Sequence, residues 1–348
     1  MSLINKYRPR YFKEVVGQDQ IVKTLVQSIK KNKIHNAYLF AGKYGTGKTT
    51  LARLLAVALN CEHFKNDICE DCATTKVNNF DIIEIDAASN RGIDEVRKLK
   101  ENSYKKPWGK YRIYIIDEAH QLTSQAGNAL LKVLEEPSSS TKFMFCTTEP
   151  MKLLNTIKSR CLSFYTRPIR FTDIKNRLKY ITDKEGIKYK DDRIFYTIAN
   201  QSNNTMRDAI NYLEIALNNT EEELTIKILE ESLNIVNEKD VYDLLDYLIQ
   251  KNFNKFFDVL YTLNANGKRY EDIVSTVKYQ AKEILFIKKG WSKGVNKYKI
   301  DKLKNKNYPL KVLYQITKDL TELESLMSGY VNPKDNSELK FLKIMLQK

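Results

Sequence analysis

No apolar run in the 348 residues approaches the length needed to cross a bilayer, and the opening MSLINKYRPRYF lacks the short apolar core of a secretion signal. These absences argue against a membrane protein and predict a cytoplasmic one. Cysteine is sparse as well: five in so long a chain, an odd number, argue against a disulfide framework. No internal repeat is visible either, which sets aside repeat architectures.

Positive charge, by contrast, is abundant. Lys and Arg number 58 against 43 Asp and Glu, a formal surplus of +15, which favours a polyanionic partner bound in a salt-sensitive way. Lys, Asn, Ile and Tyr are common throughout, so part of the surplus also fits a compositional habit. Hydrophobic residues at 42% and charged residues at 29% are proportions of a globular protein, and the length predicts two or three domains.

Residues 19–30, DQIVKTLVQSIK, place Ile21, Leu25 and Ile29 four apart with Val22 and Val26 beside them, the stripe of an amphipathic helix. AYLFAG then reads as a short strand ending in glycine, and KTTLARLLAVALN returns to helical spacing. DIIEID (81–86), RIYIID (112–117) and KFMFCTT (142–148) read as further strands, separated by the helical stretches GIDEVRKLKEN and AGNALLKVLEE. LSFYTR is a candidate last strand. Strands alternating with helices predict an α/β fold on a parallel sheet covered on both faces. Past residue 168 the text turns helical, and a break near NEKD (237–240) precedes longer helical patterns. The expected division is 1–168, 169–237 and 238–348.

Gly42, Gly47, Lys48 and Thr49 satisfy the P-loop spacing between a strand and a helix, with Tyr44, Gly45, Thr46 and Thr50 completing the loop. The residue types follow from the chemistry. Glycines let backbone N–H groups converge on phosphates, Lys48 reaches the β and γ oxygens, and the Thr49 hydroxyl ligands magnesium. Asp117 and Glu118 end an apolar strand, where a parallel sheet presents its ligand site. Asp117 fits the magnesium shell and Glu118 fits the group that orients and deprotonates an attacking water. A plainer alternative is an acid pair that starts a solvated loop. A metabolite kinase would exclude water, so a glutamate beside the magnesium ligand favours a motor or a switch.

With these residues placed, the chain resembles the clamp-loader ATPases of the AAA+ class, most specifically the motor subunits of the bacterial DNA polymerase III clamp loader. The likeness is carried by KYRPRYFKEVVGQ, IHNAYLFAGKYGTGKT, IEIDAASN, YIIDEAHQLT, NALLKVLEEP, CTTEP, SRC and MRDA, in that order. It is dense from residue 4 to about 215 and topological beyond. The resemblance implies an AAA+ P-loop domain, a small helical lid and an all-helical collar that holds subunits together. It implies that Arg160 is an arginine finger for the neighbouring subunit and Arg207 a sensor on its own phosphates. Thr147 or Thr148, with Thr148 favoured, would be the first sensor, and Tyr7, Arg8, Pro9 and Val16 would pack around adenine. A basic helix end and a solvated helix arginine are the bland readings of Arg160 and Arg207.

The family wraps primer-template DNA with helix N-termini, which implies contacts from Thr123, Ser124 and Gln125 and from Ser89, Asn90 and Arg91. Helix capping alone also explains Ser and Asn there. Cys61, Cys69 and Cys72 lie where the family carries a four-cysteine zinc module, but the spacing is Cys-x7-Cys-x2-Cys and Asn66 stands where another thiolate is expected. His63 is the candidate fourth ligand, since imidazole suits zinc; three free thiols are the alternative. Cys146 and Cys161 read as packing residues. The basic run IKKGWSKGVNKYKIDKLKNKN reads as a solvated, flexible connection, with contact to DNA or an acidic partner as the alternative.

The implied function is an ATP-hydrolysing subunit of a heteropentameric clamp loader, with ATP and Mg2+ as cofactors, Zn2+ beside them, and the sliding clamp, companion subunits and primer-template DNA as partners. The chain ends where a collar would end, as in a short or truncated form. Two rivals remain. A branch-migration motor usually carries a winged-helix module, which the long C-terminal helices do not suggest. An ATP-binding scaffold without turnover would have no use for Glu118 and Arg160.

Overall fold

Strands form on short stretches rich in apolar residues. In the computed structural model, which describes residues 1–74, 80–90, 92–220, 223–291, 300, 303, 306–327 and 332–346, these are β1 (Ala37–Ala41), β2 (Ile82–Asp86), β3 (Arg112–Asp117), β4 (Thr141–Thr147) and β5 (Leu162–Tyr165). They pair in parallel in the order β2-β3-β4-β1-β5. β1 and β4 are buried along their whole length, as central strands of a parallel sheet covered on both faces are.

The period of two then sorts side chains between the faces. Tyr38, Phe40, Ile113, Ile115, Met144 and Cys146 join one core with Leu25 of α2 (Asp19–Lys30) and Leu51, Leu54 and Leu55 of α3 (Lys48–Leu59). Leu39, Tyr114, Ile116, Phe143 and Phe145 join the other, with Leu99 of α5 (Ile93–Ser103) and Leu130 and Val133 of α6 (Ser124–Glu135). Short helices complete this part: α1 (Leu3–Lys6), α4 (Glu70–Thr74) and α7 (Asn155–Lys158). α6 ends one residue ahead of Glu136, whose backbone at φ −124° and ψ 64° has left the helical region that a following proline disfavours.

Three helices follow β5: α8 (Phe171–Lys184), α9 (Arg193–Gln201) and α10 (Met206–Asn218). α8 buries Ile174, Leu178 and Ile181, one stripe at helical spacing. The helical reading of this stretch omits a two-strand parallel pairing of β6 (Lys188–Tyr189) with β7 (Glu223–Leu224). Two residues are too few to carry a period, so that pairing left no pattern to read.

The chain divides into two compact units, Met1–Thr225 and Ile226–Lys348. The second is helical, with α11 (Ile226–Ser232), α12 (Glu238–Ile249), α13 (Phe253–Ala265), α14 (Tyr270–Lys288), α15 (Leu310–Met327) and α16 (Pro333–Leu346). Asn237 and Asn252 cap α12 and α13 by accepting the Asp240 and Lys255 N–H groups. Phe256, Leu260, Val277, Ile284, Ile316 and Phe341 form its core. The basic run between 287 and 307 lies in large part outside the described residues. No helix among the described residues is long and apolar enough to cross a membrane.

Ile115 is fully buried on β3. Ile115→Ala is expected to cost about 2–5 kcal/mol from lost burial and a residual cavity. Urea unfolding followed by circular dichroism checks this, and a cost below about 1 kcal/mol would contradict the packing described.

Candidate active site

The loop between β1 and α3 can be made only with glycine at its first position. A Cβ on Gly42 would lie 2.2 Å from Thr166 Oγ1 and 2.8 Å from the Thr166 carbonyl, because β5 runs beside β1. Gly47, at φ +99°, takes the left-handed turn that starts α3. Between them Thr46 is buried, its hydroxyl 2.7 Å from both the Lys43 carbonyl and Thr166 Oγ1. The loop's amides and the N-terminus of α3 therefore converge on one place.

Lys48 is only 5% exposed, and its ammonium donates to the Lys43 carbonyl at 3.2 Å. Burial pushes its pKa down, and Glu118, Cys146 and Asp117 oppose that shift. Thr49 Oγ1 donates to Asp117 Oδ2 at 2.9 Å, bringing together the hydroxyl and carboxylate expected to share magnesium. The fit is that of a hard cation's oxygen donors on adjacent elements. Glu118 has φ +45°, unusual for a side chain of its size, and its amide donates to Asp117 Oδ1 at 3.0 Å. Its carboxylate accepts from the Thr148 hydroxyl at 3.0 Å and the Thr148 amide at 3.3 Å. Thr147 is buried instead and meets His120 Nδ1 at 3.0 Å, so the two threonines are distinct in placement.

A cavity opens over this cluster. Tyr7, Arg8, Pro9, Val15 and Val16 line one wall, Tyr44 to Thr50 the floor with Asp117 and Glu118, and Ile169, Arg177, Met206, Arg207 and Ile210 the rest. The N-terminal segment is tied in by Tyr7, whose hydroxyl donates to Glu185 and whose carbonyl accepts from Arg177 at 3.1 Å. Arg207 stacks on the Tyr44 ring, 4.8 Å from its centroid. Gly42 and Thr148 are not among the residues that line it, although Thr148 bonds Glu118, which is. Arg160 is elsewhere: outside the cavity's lining, its guanidinium pairs with Glu135 at 2.5 Å and donates to the Thr156 carbonyl at 2.8 Å.

Thr123 caps α6 by accepting the Ala126 N–H at 3.2 Å, and Ser124 and Gln125 are exposed at the same helix start. Ser89 and Asn90 are exposed too, but both bond Asp86: the Ser89 hydroxyl to its carboxylate at 3.1 Å, the Asn90 amide to its carbonyl at 2.8 Å. Arg91 lies outside the described residues. The thiols of Cys61, Cys69 and Cys72 lie within 4.8 Å of one another. Hydrogen bonding, first from the Cys72 amide, holds the Cys69 thiol down at about 7, and exposed His63 is among its hydrogen-bond partners. Asn66 is bonded by Lys30 and takes no part in the cluster.

Some groups that shape the site had no signal in spacing. Gln18 is buried, donates to the Arg167 carbonyl at 2.7 Å and the Thr46 carbonyl at 3.3 Å, and accepts from the Arg167 amide at 3.1 Å. It fastens the end of β5 to the loop, although it appears in the sequence as one more polar residue. The Met206 amide donates to the Gly45 carbonyl at 3.2 Å, linking α10 to the same loop. Arg53 lines the cavity while paired with Glu84 at 2.5 Å.

Residues 17–170 match the family model described as DNA polymerase III, delta subunit, and 176–217 match that of the RCF1/5-like AAA+ ATPase lid domain. Thermotoga maritima RuvB has a similar fold, with TM-score 0.53 at 17% identity over 78% of this chain and 92% of that one. Fold and site together define a P-loop ATPase of the AAA+ class, which uses nucleotide and magnesium. Buchnera aphidicola (Schizaphis graminum) DNA polymerase III subunit gamma is 34% identical over 328 residues, 90% of either chain. Escherichia coli subunit tau is 33% identical over 278 residues, which are 78% of this chain and 43% of that longer one. The chain belongs to the gamma/tau subunits of DNA polymerase III, ATPases of DNA replication. It spans about half the length of the Mycoplasma genitalium gamma/tau relative, at 49%.

Because burial lowers the folded-state pKa of Lys48 below its unfolded value, the unfolded chain binds more protons. Its charge therefore costs stability below the folded pKa, and the cost fades as pH rises through that value toward the unfolded one. Lys48→Met is expected to leave the nucleotide-free chain at least as stable as wild type at pH 7, with the difference shrinking by pH 10. Nucleotide affinity should fall about 100-fold, the loss of one charge-assisted contact worth about 3 kcal/mol. Thermal unfolding with and without ATP analogue checks both; a less stable nucleotide-free variant would contradict the sign.

Proposed function

We propose that this chain is a motor subunit of a clamp loader, which binds ATP to open a ring-shaped sliding clamp and hydrolyses it to release the clamp on primer-template DNA. The observation that carries the reading is Arg160: a guanidinium outside its own nucleotide cavity and half-tethered by an exposed carboxylate, as suits a group that completes a neighbour's site. The pairing with Glu135 is a surface contact and worth under about 1 kcal/mol, so it can be exchanged for a phosphate at little cost.

In this reading Tyr7, Arg8, Pro9 and Val16 enclose the base, and Gly42 to Thr50 hold the phosphates. Thr49 and Asp117 would hold magnesium, which supplies charge neutralisation on the phosphate oxygens when bound. Glu118, oriented by Thr148, takes a proton from the attacking water as the bond between the γ-phosphorus and the bridging oxygen breaks, leaving ADP and phosphate. Arg207 leaves the Tyr44 ring for the phosphates of its own subunit, and Arg160 of one subunit offsets charge building in the next. The division into 1–168, 169–237 and 238–348 assigns motor, lid and collar, the last joining a heteropentamer. The exposed helix starts at Ser124 and Gln125, with Thr123, suit phosphate contacts that read backbone shape, as do Ser89, Asn90 and Arg91. Cys61, Cys69 and Cys72 with His63 would hold zinc as a structural cross-link, a donor set that zinc accepts.

Arg160→Ala should lower kcat by about 10³-fold or more while leaving nucleotide Kd within about twofold. Wild-type turnover per subunit should rise with protein concentration, and concentration-independent turnover by a confirmed monomer would refute the shared site. Chromatographic sizing with sliding clamp, primed DNA and ATP analogue together tests the loader role; no clamp complex with or without analogue would end it.

Atomic emission on the purified chain should find about one zinc, lost in Cys69→Ser and weakened in His63→Ala. Three freely titrating thiols and no metal would instead mark a lost site.

A further inference from the structure

Glu118 is restrained through one of its two oxygens. Oε2 accepts from the Thr148 hydroxyl and amide, and the same atom lies 3.3 Å from Nδ1 of His120. Oε1 accepts no hydrogen bond among the described residues, and Glu118 lines the nucleotide cavity. The His120 side chain is 5% exposed, so its ring is held by what surrounds it. Nδ1 also faces Thr147 Oγ1 at 3.0 Å, while Nε2 faces the Gln121 side-chain amide nitrogen at 3.1 Å and Glu149 Oε1 at 3.4 Å.

A neutral imidazole carries one N–H, so only one of its two faces donates. If Gln121 donates into Nε2, the proton sits on Nδ1 and is shared between Thr147 and Glu118. If Glu149 claims it, the proton sits on Nε2 and Nδ1 turns a lone pair toward Glu118. Glu149 pairs with Lys152 through its other oxygen, Oε2, at 2.7 Å, and its Oε1 is farther from the ring than the Gln121 nitrogen, which as an amide nitrogen can only donate and so needs a lone pair on Nε2. Gln121 therefore has the stronger hold on Nε2. We infer that His120 is a positioning residue for hydrolysis: as the Nδ1–H tautomer, sustained by Gln121, it fixes Oε2 of Glu118 and so presents Oε1 to the water that attacks the nucleotide. The inference rests on Glu118 being the base.

The residue has a discriminating pair of replacements. His120→Asn keeps an N–H near the Nδ1 position, whereas His120→Gln moves its amide toward the Nε2 position. With the full chain, at the concentration where wild-type turnover per subunit is greatest, His120→Gln is expected to lower kcat about tenfold with nucleotide Kd within about twofold. His120→Asn should stay within about threefold of wild type. The chain has three histidines, so 15N-histidine labelling resolves the rings, and loss of a signal in His120→Gln assigns this one. The assigned ring should be the Nδ1–H tautomer and should shift in Glu118→Gln. An Nε2–H ring, or equal kcat in wild type and both variants while Glu118→Gln is inactive, would overturn this inference and leave the base in place. Glu118→Gln with wild-type turnover would overturn the base assignment and this inference with it.

Discussion

An ammonium taken out of water, and bonded to no carboxylate among the described residues, organises this molecule. Lys48 Nζ donates to a backbone carbonyl, while Thr49 engages Asp117 and Thr148 engages Glu118. Around it the loop amides and the start of α3 add further positive character. The arrangement carries a desolvation cost, which an anion bound there would offset; in the reading proposed above that anion is a nucleotide's phosphate. Binding is thus built into an electrostatic imbalance that the folded sheet maintains.

Strand order explains why the parts meet. β1 lies between β4 and β5, and β3 lies beside β4. The phosphate loop, the acid pair and Thr148 therefore leave neighbouring strand ends on the same edge of the sheet, as parallel sheets arrange their sites. β5 contributes at close range, since Thr166 fills the space that any side chain at position 42 would need. Glu118 accepts an unusual backbone conformation, worth of order 1–3 kcal/mol elsewhere, where the chain turns from β3 toward His120. The sheet's packing on both faces is what holds it there.

Much of the sheet was legible because its signals are local. Apolar runs marked β1, β3 and β4, and glycine spacing marked the phosphate loop. The acid pair was legible as a strand end. Gln18 was not, because its importance lies in bonding Thr46 and Arg167, residues far away in sequence. The stacking of Arg207 on Tyr44 and the tether of Arg160 to Glu135 were hidden for the same reason. β6 and β7 were missed because two-residue strands have no period.

The residues alone determined which groups are available and which segments become strands or helices, since propensity and burial periodicity act over a few neighbours. From these came the phosphate loop, the two acids, three clustered cysteines and a helical second half. Tertiary structure decided which oxygen of Glu118 is held, which threonine holds it, and that His120 stands between Glu118 and Glu149. Those relations depend on the register of separate strands and on side-chain directions within a few tenths of an ångström, and such distances are set only when non-adjacent elements pack.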